Sequence, residues 1–397
     1  MGSFAADVTV REGVWAENLP FDAKVSWEGG GLSNVTGPLP GILVSEIGVT
    51  RMDCSRSMLK RVLRKCAEEN IKVTASGTIQ GCLVPAGWDE FNFIKDPEIA
   101  TPSVTILSEV RRVLLERVLG FVTVTAEPDG KIEITYPESD IMRFCDEIML
   151  TKAILASETL HIGDRRYGLC LAPKPANTIR PNDFTVSLVI RGITPIRFTE
   201  GVQTLAVHAR ALALITNPHV NSYKRLTPRS PSLRSLAPWK AEVSEKRDSN
   251  AFAWVTPDED SPRLIIRSFD ATANTHLAMA MVITLLTGGA KNVSDDEDIG
   301  MDECCGNCDV TGKHAREEAD PFLDEPAVVI GNPISCDSSG LPSNLGEAAE
   351  AFERDALLRA FLGENVHGVL LRKKRNEWFD YCDVVHPWEI KEFLLRA

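Results

Sequence analysis

Cysteine pairs two residues apart, carboxylate runs and helically spaced histidines are the patterns that hold metals or carry nucleophilic chemistry. This sequence has few of them. Cys305-Gly306-Asn307-Cys308, with Cys304 and His314 nearby, has half the ligand spacing of a zinc site. A second Cys or His pair is not evident, so the run reads as reduced surface thiols. His161, His208, His219, His276, His367 and His386 are scattered, and no helical His pair or His–Cys dyad stands out. The acidic run Asp295-Asp296-Glu297-Asp298 reads as a solvated loop.

Bulk composition narrows the classes further. With 397 residues, 44% hydrophobic and 25% charged, the chain can bury one large core or two moderate ones. A formal charge of -13 with no Lys/Arg block argues against nucleic acid, which needs a clustered cationic surface to displace counterions. The longest strongly apolar stretch, Leu277 to Leu286, is far short of the ~20 residues of a bilayer span, so no membrane partner is expected. The N-terminus lacks a basic segment followed by an apolar run, and Ala6 stands where a myristoylation site wants Ser or Thr. The expectation is a cytoplasmic protein whose ten cysteines stay reduced.

The elements that must position any site follow from periodicity. Residues 1–50 are loop-rich, with short β-like runs at Asp7–Arg11 and Ala23–Trp27 around Gly29-Gly30-Gly31 and Gly37-Pro38-Leu39-Pro40-Gly41. Met58, Leu59, Val62, Leu63 and Cys66 recur at helical spacing and predict an amphipathic helix over 55–69 that feeds a strand at 71–75. A second helix over 104–119 leads to strands at 122–125 and 131–136, reversed across Pro128-Asp129-Gly130. A helix over 141–157, strands near 168–171 and 184–190, and two apolar helices over 201–216 and 273–287 come next. The second of these ends at Gly288-Gly289, which tolerates a left-handed cap. Residues 293–325 turn to Asp, Glu, Gly and Cys, a composition too polar to offset its ordering entropy, and read as a flexible acidic insertion. Residues 341–397 predict three amphipathic helices, at 346–362, 367–381 and 387–395. Helices and antiparallel strands interleave without a βαβ rhythm, which makes the fold class α+β.

Asn221-Ser222-Tyr223-Lys224-Arg225-Leu226, within Ile215 to Asn221, resembles the signature loop of the glutamine synthetase family. Other segments resemble that family in the same order along the chain: Ser55 to Arg61, Gly130 to Ile134, Ala172-Pro173-Lys174-Pro175, Arg263 to Asp270 and Ala273 to Ala278. After the insertion come Leu341 to Leu345, Ala351 to Asp355, Leu362-Gly363, Lys374 to Trp378 and Trp388-Glu389. The resemblance runs from about Met52 to the C-terminus. It implies a catalytic domain over 51–397, built as an antiparallel open barrel flanked by helices. The family's N-terminal β-grasp domain is expected to be largely absent, because residues 1–50 are too few for it.

The family's chemistry activates a carboxylate with ATP and captures the acyl phosphate with ammonia or an amine. Divalent Mg or Mn neutralises the gathered negative charge. The resemblance places Thr78 and Gln80 where two metal glutamates belong, Asp183 and Thr185 at two histidine positions, and Ile265 at a third glutamate. The loop Thr227 to Ser232 has no acid where the family carries its ammonia-deprotonating glutamate. What the resemblance keeps is a metal set of Glu127, Glu133 and Asp183 and a substrate- or phosphate-binding set of Arg225, Arg247 and Arg267. It assigns no catalytic residue. The residues themselves also allow a structural reading, with Glu127 and Glu133 on an exposed strand face beside a hairpin turn and Arg225 and Arg267 in ion pairs inside the barrel.

Two functions are therefore expected from different classes. One is a binding protein, a pseudoenzyme that takes a small carboxylate or phosphate ligand or associates as a homo-oligomer or with a full-length synthetase. The other is an ATP-dependent carboxylate–amine ligase with an altered site that uses Mg or Mn.

Overall fold

The computed structural model describes residues 5–6, 25–26, 54–85, 107–112, 122–127, 131–157, 160–162, 165–175, 180–226, 238, 240–244, 247–248, 250–256, 261–288, 340–386, 389–390 and 393. The acidic insertion, its cysteines, the 227–232 loop and most of residues 1–50 lie outside them. Two two-residue strands near the N-terminus, β1 (Ala5–Ala6) and β2 (Val25–Ser26), pair antiparallel.

The main body is one open sheet backed by helices. β3 (Lys72–Pro85) lies between β5 (Lys131–Asp140) and β8 (Phe184–Arg191). β4 (Thr123–Ala126) edges β5, and β11 (Arg263–Ile266) and β10 (Ala251–Thr256) extend the sheet beyond β8 to β9 (Lys240–Ser244). The far end of β3 pairs instead with β7 (Arg165–Cys170), which carries the short β6 (Leu160–Ile162). Among the described residues all pairings are antiparallel except β9 with β10, so the sheet is open as expected, and it is mixed at that one pair.

The helix at the centre of the core is α5 (Thr275–Thr287), buried at every residue. A helix apolar on all sides has to be enclosed. Asn274 caps its start by accepting the Leu277 N–H at 3.1 Å, and Gly288 ends it at φ +69°. Around it pack α1 (Ser55–Glu68), α2 (Ile141–Ser157) and α3 (Pro195–Thr216). α3 approaches closely because Gly201 has no side chain: a Cβ there would sit 2.0 Å from the Leu286 carbonyl oxygen. Asp146 of α2 ties this layer together, accepting from Arg56 of α1 at 2.9 Å through both carboxylate oxygens and meeting His276 of α5 at 2.8 Å.

The short α4 (Val220–Leu226) follows α3 directly. α6 (Leu345–Arg354) packs on α3, and α7 (Ala356–Asp383) packs on α6 and is interrupted at Gly363 with φ +75°. The two helices expected at 346–362 and 367–381 are thus divided instead at Asp355 and Gly363. Asp355 stops one helix and caps the next, accepting the Leu358 N–H at 3.0 Å. Only residues 389–390 and 393 of the third expected helix are described, and 107–112 of the helix over 104–119 is helical.

Candidate functional site

β3, β5, β8 and β11 alternate buried with half-buried residues, the two-residue period of strands that put one face in the core. Ile79, Ile134, Val186, Leu188, Leu264 and Ile266 occupy the core face. Register fixes the opposite face. Thr78 lies between Thr135 and Thr185, Gln80 opposite Glu133, and Ser187 opposite Ile265. Thr78, Gln80, Glu133, Thr185 and Ile265 therefore share one side of the sheet.

Gln80 links the two carboxylates of that face. Its Nε2 donates to Glu133 Oε2 at 3.1 Å, and its Oε1 accepts the Asp183 N–H at 3.2 Å. The Gln80 N–H in turn donates to the Asp183 carbonyl at 2.9 Å. The Asp183 carboxylate accepts from Arg225 Nη1 at 3.1 Å, from Arg267 Nε at 3.2 Å and from Arg267 Nη2 at 2.5 Å. Arg225 is 2% exposed and also donates to the carbonyls of Arg267, Ser268 and Phe269 at 2.7–3.1 Å. Burial pulls its pKa below the ordinary guanidinium value, and Asp183 and Asp270 oppose that pull.

A second charged group lies further along the same strands. Glu138 accepts from Thr74 Oγ1 at 2.7 Å, faces Arg191 at 3.1 Å and Arg263 at 3.5 Å, and Arg263 also donates to Ser187 Oγ at 3.0 Å. The Thr74 hydroxyl, then Arg191 and Arg263, hold the Glu138 carboxyl below its usual range.

The arginines and carboxylates expected from sequence separate into two sets. Arg225, Arg267 and Asp183 come together, with Glu133 joined to them through Gln80. Glu127 follows β4, where its N–H donates to the Lys131 carbonyl at 2.8 Å, two cross-strand positions beyond Thr125–Glu133. Arg247 is exposed in the β9–β10 connection and takes no part in the Asp183 cluster. Among the described residues no three His, Cys, Asp or Glu side chains gather closely enough to hold one metal ion. Asp183 is already engaged by two guanidiniums.

The signature loop acts as a clamp. Asn221 accepts the Lys174 N–H at 2.8 Å and donates to the Lys174 carbonyl at 3.0 Å, fixing the Pro173-Lys174-Pro175 run. Arg225 grips residues 267–269 as described. Glu377 of α7 accepts the Val220 N–H at 3.0 Å, His219 at 3.1 Å and Lys374 at 3.3 Å. Although burial opposes it, the His219 hydrogen bond, Lys374 and the Val220 N–H lower the Glu377 pKa to about 2.

Sequence reasoning missed the role of Gln80 as a connector and the buried Asp270, which accepts the Thr272 N–H at 2.7 Å. Asp270 had a local signal, a carboxylate two residues before its donor as in an Asx turn. Gln80 had none, because its partners lie 53 and 103 residues away.

An open sheet backed by a buried helix, with polar residues gathered on the face away from the core, is the fold that the chain shares with solved synthetases. The chain superposes on GmaS in complex with ADP with TM-score 0.60 at 18% identity, covering 94% of this chain and 80% of that one. It superposes on the Plasmodium falciparum glutamine synthetase with TM-score 0.60 at 16% identity, covering 88% and 81%. Residues 195–303 and 323–393 match the family model of the glutamine synthetase catalytic domain. The Mycolicibacterium smegmatis glutamine synthetase is 30% identical over 188 residues, 47% of this chain and 37% of that protein. The Rhizobium leguminosarum bv. phaseoli glutamine synthetase is 24% identical over 366 residues, 84% and 75% of the two chains. Over residues 195–303 and 323–393 the chain is similar to the glutamine synthetase catalytic domain. Its matches to relatives such as those of M. smegmatis, Methanosarcina mazei and Clostridium saccharobutylicum span only 37%, 55% and 56% of their lengths. No helix among the described residues is long and apolar enough to cross a membrane.

Proposed function

We propose that this glutamine synthetase-like protein acts by binding rather than by efficient ligase chemistry. Its ligand is a small carboxylate or phosphate, or a synthetase subunit. The observation that carries the reading is the pairing of Asp183 with both Arg225 and Arg267, while Glu133 is held by the Gln80 carboxamide. Bringing a triphosphate up to a second anion requires divalent cations held by uncompensated carboxylate oxygens. Two carboxylates against two guanidiniums leave the centre of the face without net negative charge, and Ile265 has no lone pair to offer. This donor set does not fit a polyphosphate–metal centre. Of the three carboxylates that the family resemblance assigns to metal, only Glu127 and Glu133 are clear of a guanidinium among the described residues. Two such groups suit a single weakly held cation at most.

The same face suits a small anion better. Thr78, Thr135, Thr185 and Ser187 supply hydroxyls, and Arg267 supplies a fork whose present partner is a carboxylate. An incoming carboxylate would take over part of the Asp183 contact.

The test is calorimetric titration of the purified chain with ATP, with and without Mg²⁺ or Mn²⁺, alongside phosphate release in the presence of glutamate and ammonia or an amine. We expect no cation-dependent nucleotide binding in the micromolar range and no phosphate release. Cation-dependent turnover that disappears in Glu133→Ala would overturn the reading in favour of the altered ligase. Titration with carboxylates and inorganic phosphate, repeated on Arg267→Gln, and co-elution with a full-length synthetase separate the ligand role from the subunit role.

A further inference from the structure

Just beyond Gln80, on the same face of β3, two cysteines stand directly opposite one another. Cys82 of β3 pairs with Cys170 of β7 in antiparallel register, and Cys82 Sγ lies 3.9 Å from the Cys170 carbonyl oxygen. Directly opposed residues in an antiparallel ladder have Cα atoms ~4.5 or ~5.5 Å apart, and both spacings fall within the roughly 4.4–6.8 Å that a disulfide spans. Both cysteines are thiols in this structure. Their environments differ: Cys82 is fully buried, whereas Cys170 is half-buried next to the turn into the Pro173 run. Asn182, the residue before Asp183, donates its Nδ2 to the Cys170 carbonyl at 3.2 Å and to the Ala172 carbonyl at 2.8 Å. The pair is therefore coupled to the charged cluster on two sides, through β3 to Gln80 and through Asn182 to Asp183.

We propose that Cys82 and Cys170 form a redox-active dithiol whose oxidation staples β3 to β7 beside the candidate site. The oxidant is a small disulfide of the glutathione class. The Cys170 thiolate attacks one sulfur of that disulfide, the disulfide bond breaks, and one thiolate leaves and takes a proton. The resulting mixed disulfide on Cys170 is attacked by Cys82, which forms the protein disulfide and expels the second thiol. Two protein thiols are oxidised, and one small disulfide is reduced to two thiols. The division of labour follows from access: the partly accessible Cys170 meets the oxidant and the fully buried Cys82 resolves the adduct. The thiolate character of Cys170 agrees with this order, because the hydrogen bond from the Cys82 thiol lowers its pKa to about 7 against the opposing effect of burial. The buried Cys145 and Cys66 are pushed the other way by desolvation.

The inference does not depend on what the open face binds. The test is incubation of the full chain with oxidised glutathione, followed by proteolysis and mass mapping without reduction. The expected product is one cross-linked peptide joining the Cys82 and Cys170 segments, lost on adding dithiothreitol. In Cys82→Ser the glutathione adduct should accumulate on Cys170, and in Cys170→Ser no adduct should form at Cys82. Unmodified protein supplies a check that needs no variant: brief iodoacetamide treatment near neutral pH should label Cys170 at least about tenfold faster than Cys66 or Cys145. Oxidation that links other cysteines while Cys82 and Cys170 stay reduced would overturn the proposal, as would slow labelling of Cys170.

Discussion

The signature segment and the polar face of the sheet meet at Asp183 but are built on different terms. Around the signature segment, the family-like residues hold one another. Asn221 fixes the Lys174 run, Arg225 grips three carbonyls and Asp183, and Glu377 reaches across from α7 to the start of α4. On the open face, Thr78, Gln80, Thr185 and Ile265 stand at positions where the family resemblance implies metal ligands, and they make few or no charged contacts. The difference teaches that motif survival reports on scaffold more than on chemistry. A buried guanidinium is expensive to lose because its partners stay behind unpaired, whereas a half-buried threonine on a strand is cheap to exchange.

If that contrast is right, Arg225→Met should be the most damaging single change, costing about 3–5 kcal/mol by leaving three carbonyls without their guanidinium donor and Asp183 with one of its two arginines. Urea denaturation measures it, and Thr78→Ala in the same assay should move stability by no more than about 0.5 kcal/mol. Equal losses for the two would erase the distinction. Next comes Gly201→Ala, where the new Cβ must push α3 away from the Leu286 carbonyl. The expected cost is about 2–3 kcal/mol, visible as a lower urea midpoint with an unchanged slope.

The clamp around the signature segment should also carry a pH signature. Glu377 titrates at about 2 in the folded chain, below the ~4.3 of an unfolded glutamate. The fold therefore favours the ionised form, and the stability this confers is complete above about pH 4.5 and is lost as pH falls toward 2. With the carboxylate 29% exposed, the contribution is on the order of 1–2 kcal/mol after screening. Glu377→Gln should be less stable than the parent at pH 7, with the gap narrowing through that acid window. A gap that stays constant would mean the carboxylate is not what holds α7 to α4.

How much of this was legible in the sequence follows the same division. The span of α2 was readable to the residue, because Ile141, Phe144, Cys145, Ile148 and Leu155 keep a helical period with no breaker between them. Periodicity alone reads β3 only as 71–75, since Ser76-Gly77-Thr78 interrupts the apolar pattern and glycine weakens a strand, and it is the family resemblance that carries the strand on through 75–83. Gly77 is in fact required there, as a Cβ would sit 2.5 Å from the Thr185 carbonyl oxygen, and the strand runs on to Pro85. The parallel pairing of β9 with β10 had no local signal at all. For the site, alternation fixed which residues share a face, but not what each one holds. The bond between Arg225 and Asp183 closes over 42 positions and that between Gln80 and Asp183 over 103, and such partners are chosen by packing rather than by any spacing a sequence displays.

The smallest expected effect tests the open face most directly. Gln80→Glu would place a carboxylate against Glu133, trading the hydrogen bond at 3.1 Å for a like-charge contact while the Asp183 N–H keeps an acceptor. Two carboxylates that share a site raise the pKa of one of them. The variant should therefore lose about 1 kcal/mol at pH 8 and less at pH 5, where one of the pair is protonated. Adding Mn²⁺ at constant ionic strength should reverse the loss at pH 8, because two adjacent carboxylates begin to resemble a hard-cation site. Melting temperatures of parent and variant with and without Mn²⁺ measure both effects. A parent that Mn²⁺ stabilises as strongly as the variant would place a cation on the face as it stands, and the balance of two carboxylates against two guanidiniums would no longer account for its chemistry.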